Sequence, residues 1–140
     1  MRYFIQLSYN GAAYHGWQIQ PNAITVQETL QDSLSKLLNT KIPITGAGRT
    51  DTGVHASQMF AHFDIDEELD TPKLLYKLNS FLPKDIAIQS IFEVRADAHA
   101  RFDAVKRSYK YKVCLKKDVF QYDYAYLNNS AKYTDWELYC

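Results

Sequence analysis

A chain of 140 residues has room for one domain with a packed core and a short extension. Sixteen basic residues balance sixteen acidic ones, which argues against a globally basic nucleic-acid binder, and no run of about 18 apolar residues exists to span a bilayer. The two cysteines, Cys114 and Cys140, have neither metal-type nor redox-type spacing, so the expected compartment is a reducing, cytoplasmic one.

The chain opens on RYFIQLSY, residues 2–9, whose loose alternation and aromatics predict a strand rather than a secretion signal. Asn10-Gly11, Gly16 and Pro21 mark residues 10–24 as a long loop. Thr25-Val26-Gln27-Glu28 reads as a capping box. Val26, Leu30, Leu34, Leu37 and Leu38 follow at helical spacing and predict a helix to about Asn39. Residues 42–46 predict a short strand. Further on, Met59, Ala61, Phe63 and Ile65 share one face of another. Thr71 is the expected cap of a second helix with Pro72 in its first turn. Leu74, Leu75, Leu78, Phe81 and Leu82 line one side of it, and Pro83 stops it. IAIQSIFEV, residues 86–94, completes the order β-α-β-β-α-β. That is the ferredoxin-like plan of an α+β domain, with an antiparallel sheet and two helices.

An extra C-terminal strand is predicted in RSYKYKVCL, residues 107–115, with Tyr109, Tyr111 and Val113 on one face; Tyr pairs so placed are more often core than surface. It lies in the most basic part of the chain. Eight cations, Arg101, Lys106, Arg107 and Lys110 among them, fall between Arg95 and Lys117 against only Asp97 and Asp103. Such a segment is either a solvated strand face or a local positive field that attracts phosphates whatever the net charge. Thr134-Asp135-Trp136-Glu137 is a second capping box, three residues from the last. A helix so short is not stable alone. The expectation is therefore a piece of a longer protein, with residues 1–115 as one domain and 116–140 as the start of a connection to a second.

The densest chemistry lies in GAGRTDTGVHAS, residues 46–57. Asp51-Thr52-Gly53 is also the tripeptide of aspartic proteases. That chemistry needs two carboxylates sharing one proton, so a chain this short would have to dimerise. Arg49, two residues away, would also hold Asp51 ionised and spoil the sharing. Gly46-Ala47-Gly48 begins like a phosphate loop, but position 51 is Asp where a third Gly belongs, and no Gly-Lys-Ser/Thr follows. Asp and Gly are common turn residues, and a lone DxG would mean no more than a turn. This loop has more: three glycines, which let backbone approach a substrate closely, an Arg and Asp pair suited to a charged, aimed carboxylate, and His55, able to donate a hydrogen bond to a substrate. His15, His55, His62 and His99 are too scattered for a metal site.

The stretch GAGRTDTGVHAS resembles the signature of the tRNA pseudouridine synthase A (TruA) family. Tyr14-His15-Gly16-Trp17-Gln18 resembles that family's aromatic-Gly-Trp-Gln loop, and Val26-Gln27-Glu28 the start of its first helix. Asn79-Ser80-Phe81-Leu82-Pro83 with Asp85-Ile86-Ala87, then His99-Ala100-Arg101-Phe102 and Arg107-Ser108-Tyr109-Lys110-Tyr111, resemble further segments in the same order. The likeness covers residues 1 to about 115. It implies isomerisation of uridine to pseudouridine in the anticodon stem-loop of tRNA, without metal or cofactor. It implies Asp51 as the catalytic carboxylate, Arg49 as its partner, and Tyr109 packed on the target base. Rings of this kind stack on extruded bases. Arg101, Lys106, Arg107 and Lys110 are then expected at phosphates. Trp17 and Gln18 sit in a loop that either touches RNA or, for Trp17, covers the core. Members of the family are usually about twice as long and homodimeric, so the stretch here is expected to turn over tRNA poorly alone. A non-catalytic RNA-binding module on the same sheet is the other reading.

Overall fold

The computed structural model describes residues 1–117, 119–120 and 126–127. They fall into two compact units, Met1–Ala104 and a second beginning at Val105.

The first unit contains β1 (Arg2–Tyr9), a 3-10 turn (Gly11–Ala13), α1 (Val26–Leu38), β2 (Thr45–Gly46), β3 (Ala56–Asp64), α2 (Thr71–Phe81) and β4 (Ile86–Val94). The strands form one sheet in the order β2-β3-β1-β4. Every pairing is antiparallel, with Ile5 opposite both Ala61 and Ile91. This is the expected ferredoxin-like α+β arrangement. Period-two alternation sends Tyr3, Ile5, Leu7 and Tyr9 of β1 to one face. There they join Met59, Ala61 and Phe63 of β3, Val26, Leu30 and Leu34 of α1, and Leu74 and Leu78 of α2 in a single core. Fully burying each aliphatic side chain contributes roughly 1.5–3 kcal/mol. Among the described residues no helix is long and apolar enough to cross a membrane.

Helix α1 starts at the predicted cap: the Thr25 hydroxyl accepts from the Glu28 N–H at 3.3 Å, while the return bond from the Thr25 N–H to the Glu28 carboxylate, which would complete the capping box, is not formed. It ends on Asn39 in the left-handed region, with the N–H groups of Asn39 and Thr40 returning to the carbonyls of Lys36 and Ser35.

Four expectations are corrected. The cap of α2 is Asp70, not Thr71, because the Asp70 carboxylate takes the Lys73 N–H at 3.2 Å. Phe81 is half exposed, off the buried stripe. The strand expected over 42–46 forms its ladder only at Thr45–Gly46. Ile42 and Ile44 are buried, but their N–H groups bond to Ser35 Oγ and Gln31 Oε1, so side chains of α1 take the place of a neighbouring strand. The C-terminal strand is reduced to β5 (Val113–Cys114), paired in parallel with β6 (Tyr126–Leu127). Tyr109 and Tyr111 lie before it, 66% and 76% exposed, so neither is core. The capping box at 134–137 lies outside the described residues.

Candidate functional site

The loop that carries Asp51 joins β2 to β3, the sheet's edge pair. Ala47 leaves β2 with its N–H still bonded to the Phe60 carbonyl at 2.8 Å. Asp51 then opens a turn: its carbonyl accepts from the Val54 N–H at 3.2 Å, and Gly53 has φ +81°. A positive φ at the third position alone is the type II signature, which requires Gly there. The turn reading of Asp51-Thr52-Gly53 is thus correct for the backbone. Its side chain is a separate matter. Asp51 is exposed, as are Arg49 and His55.

A second loop, residues 10–18, is packed against this turn. The Trp17 N–H donates to the Thr50 carbonyl at 3.3 Å, and the Gly53 N–H donates to the Tyr14 carbonyl at 3.2 Å. The Gly11 N–H donates to His55 Nδ1 at 2.9 Å, so the proton of the neutral His55 ring sits on Nε2. The approach is so close that a β-carbon on Gly11 would overlap the Val54 carbonyl, and one on Gly16 the Thr50 carbonyl. Side chains reinforce the backbone. The Tyr9 hydroxyl lies 2.9 Å from Thr50 Oγ1, and the Tyr14 hydroxyl donates to Asp85 Oδ1 at 2.6 Å. Burial first, and the Asp85 carboxylate second, push the Tyr14 phenol well above its usual range, so it stays protonated as the donor.

Beside the loop runs a groove of about 150 Å³ whose lining includes Trp17, Gln18, Gln27, Gly48, Arg49 and Arg101. Two guanidiniums therefore line one small depression together with glycine backbone, an arrangement suited to an anion. Asp51 is not part of the groove's lining. Trp17 is buried, packed over Gly46 and stacked 6.2 Å from Tyr9, and contributes to the groove while belonging to the core. Gln18 is exposed. Arg49 and Asp51 do not form an ion pair in this structure, contrary to the pairing expected from their spacing. An exposed pair contributes only about 0–1 kcal/mol, too little to fix two solvated side chains.

Arg101 reaches the groove from a loop built on two histidines. His62 is buried on β3, and its Nδ1 accepts from the Ala100 N–H at 3.0 Å. His99 meets it edge-on at 4.6 Å, and His99 Nδ1 accepts from the N–H groups of Arg101 and Phe102. Two of the histidines taken as scattered are thus in contact. Burial, with Arg2 and His99 adding to it and Asp64 opposing, lowers His62 to about 4, so its ring is neutral near pH 7. Lys106, Arg107, Tyr109 and Lys110 are exposed and belong to the second unit.

Sequence reasoning missed the supporting residues. Gln27 accepts from the Ile19 N–H at 2.8 Å and donates to the Ile44 carbonyl at 2.6 Å, fixing one wall of the groove. Tyr9, Tyr14, Thr50 and Asp85 hold the turn. Tyr14, Thr50 and Asp85 stand inside quoted motifs, but their long-range partners leave no local pattern.

Residues 6–103 match the family described as tRNA pseudouridine synthase. The chain is 55% identical over 126 residues to a tRNA pseudouridine synthase A of Parabacteroides distasonis, covering 89% of this chain and 50% of the relative. It is 54% identical over 125 residues to that of Bacteroides thetaiotaomicron, covering 89% and 46%. It is 47% identical over 107 residues to that of Ruminiclostridium cellulolyticum, covering 76% and 44%. The chain spans about half the length of these curated relatives. The matched segment runs from within β1 through both helices, the Asp51 turn and the Arg101 loop, and the chain belongs to the tRNA pseudouridine synthase family.

Proposed function

We propose that this chain carries the catalytic loop of an enzyme that isomerises uridine to pseudouridine in the anticodon stem-loop of tRNA. The observation that carries the reading is the family match over residues 6–103, which contains an exposed Asp51 on a turn held from both sides. In the reaction the bond from N1 to the sugar breaks, the uracil turns, a bond from C5 to the sugar forms, C5 gives up its proton and N1 takes one up, so that the product is an isomer of the substrate. Asp51 is the carboxylate that promotes it, by attack on the sugar carbon, by attack on the base, or by removing a sugar proton. Each role needs an ionised carboxylate against a nucleotide taken out of its stack. Arg49 and Arg101 meet a backbone phosphate in their groove with Gln18 at its rim, and His55 donates from Nε2. Exposed Tyr109 packs on the target base, and Lys106, Arg107 and Lys110 meet further phosphates. The enzyme works as a cytoplasmic homodimer.

The test is tritium release from tRNA labelled at uracil C5, using the full-length gene product. Asp51→Ala is expected to keep tRNA affinity and lose release. An Asp51→Ala enzyme that still released tritium would overturn the assignment, and a parent protein that binds tRNA without release would be an RNA-binding module.

A further inference from the structure

We propose that Thr50, held by Tyr9 and by the backbone of Trp17, is a positioning residue that aims Asp51. The inference rests on the assignment of Asp51 above. Thr50 immediately precedes Asp51 and is gripped at two points. Its carbonyl accepts from the Trp17 N–H at 3.3 Å, and its hydroxyl meets the Tyr9 hydroxyl at 2.9 Å. Both partners are buried. Tyr9 is 4% exposed, ends β1 and lies in the core, and Trp17 is 2% exposed and stacked on it. Gly16, at φ +78°, leaves the Thr50 carbonyl no room to move toward it. After Asp51 the backbone is fixed again, by the Gly53 N–H on the Tyr14 carbonyl.

Asp51 itself is exposed, and no ion pair to Arg49 orients it. The direction of its Cα–Cβ bond is therefore set by the backbone on either side, and among the described residues the Thr50 hydroxyl is the one side-chain grip that adjoins it. A reacting group displaced by about 1 Å loses on the order of 100-fold in rate. Loss of this grip acts on the chemical step and not on tRNA affinity, because Thr50 is not part of the groove lined by the arginines.

The experiment is tritium release by the full-length gene product, with kcat and KM measured for four variants at a temperature where circular dichroism finds each folded. Thr50→Val keeps the shape and removes the hydroxyl; kcat is expected to fall about 10- to 100-fold with KM changed less than about twofold. Thr50→Ser restores the hydroxyl and should recover most of kcat, which a merely structural methyl contact would not produce. Tyr9→Phe removes the same hydrogen bond from the other side and keeps the stacked ring; it carries the test if Thr50→Val does not fold. Asp51→Ala distinguishes the two ideas. If it retains release, the function itself is misassigned. If it abolishes release while Thr50→Val or Tyr9→Phe keeps kcat within about threefold of the parent, or if Thr50→Ser is as slow as Thr50→Val, positioning by Thr50 is overturned alone.

Discussion

The phenol of Tyr14 donates to the carboxylate of Asp85 across 2.6 Å, while the Asp85 carbonyl takes the Asn10 N–H at 2.9 Å. One residue of the turn between α2 and β4 thereby anchors the start and the middle of the loop that backs the Asp51 turn. Tyr14→Phe removes the donor and leaves a half-buried carboxylate without it. Hydrogen bonds to charged groups contribute about 1.5–3 kcal/mol, so urea unfolding of the variant should lose roughly 1–3 kcal/mol at unchanged m-value. A loss below about 0.5 kcal/mol would mean that water replaces the phenol without cost.

Gly16 and Gly53 both have positive φ, +78° and +81°, but their surroundings differ. A β-carbon on Gly53 would meet nothing, whereas one on Gly16 would overlap the Thr50 carbonyl. Gly53→Ala should therefore cost only the left-handed strain of about 1–2 kcal/mol. Gly16→Ala adds a backbone collision that can be relieved only by separating the two loops, and should cost at least about 2 kcal/mol more. Equal thermal unfolding temperatures for the two variants would contradict this packing of loop on loop.

How far these relations are legible in the sequence depends on how local they are. The α1 cap and its Leu30 and Leu34 stripe are written within a few residues of each other, and reading them by period and capping chemistry succeeds. Asn79 shows the limit. Its side-chain amide donates to the Ile88 carbonyl at 2.9 Å and accepts from the Ile88 N–H at 2.8 Å, standing in for a strand on the outer edge of β4. Beside it the β1–β4 register slips between Gln6 and Leu7. Nothing in the residues around Asn79 announces a partner on the next strand. The same is true of the site: the glycines, Arg49, Asp51 and His55 stand in one quoted stretch, but Arg101 joins Arg49 in the groove from a loop that His62 and His99 hold through the N–H groups of Ala100 and Arg101. The Arg49–Asp51 pairing failed for the opposite reason, since closeness in sequence does not hold two solvated side chains together.

His62 makes stability depend on pH. Its folded value, about 4, lies below its ordinary 6.5, so between those pH values the unfolded chain binds a proton that the folded chain refuses. Stability falls as pH drops through that window, by up to about 3 kcal/mol. Asp64, held below 3.8 mainly by its hydrogen bond with Arg2, loses its own contribution at still lower pH. His62→Asn keeps an acceptor for the Ala100 N–H and removes the titrating ring. Urea midpoints at intervals from pH 7 to pH 4 should converge toward the variant's flatter profile as the parent's falls. Parallel profiles would show that His62 is not the group responsible.

Arg101 and Arg95 stand on the same connection yet differ in setting. Arg101 lines the groove with Arg49, whereas Arg95 is largely exposed beside Asp97 at 3.6 Å, away from that groove. If the groove takes a tRNA phosphate, removing Arg101 removes one counterion-releasing contact. The slope of log K against log salt for tRNA binding should then become shallower by about 0.7–0.9, with weaker binding at low salt. Arg95→Ala should leave the slope nearly unchanged, because its charge is already opposed by a neighbouring carboxylate in high-dielectric solvent. Filter binding from roughly 50 to 200 mM salt covers the range in which such contacts are resolved. Identical slopes for the two variants would mean that the phosphates pass elsewhere and that the two guanidiniums meet for another reason.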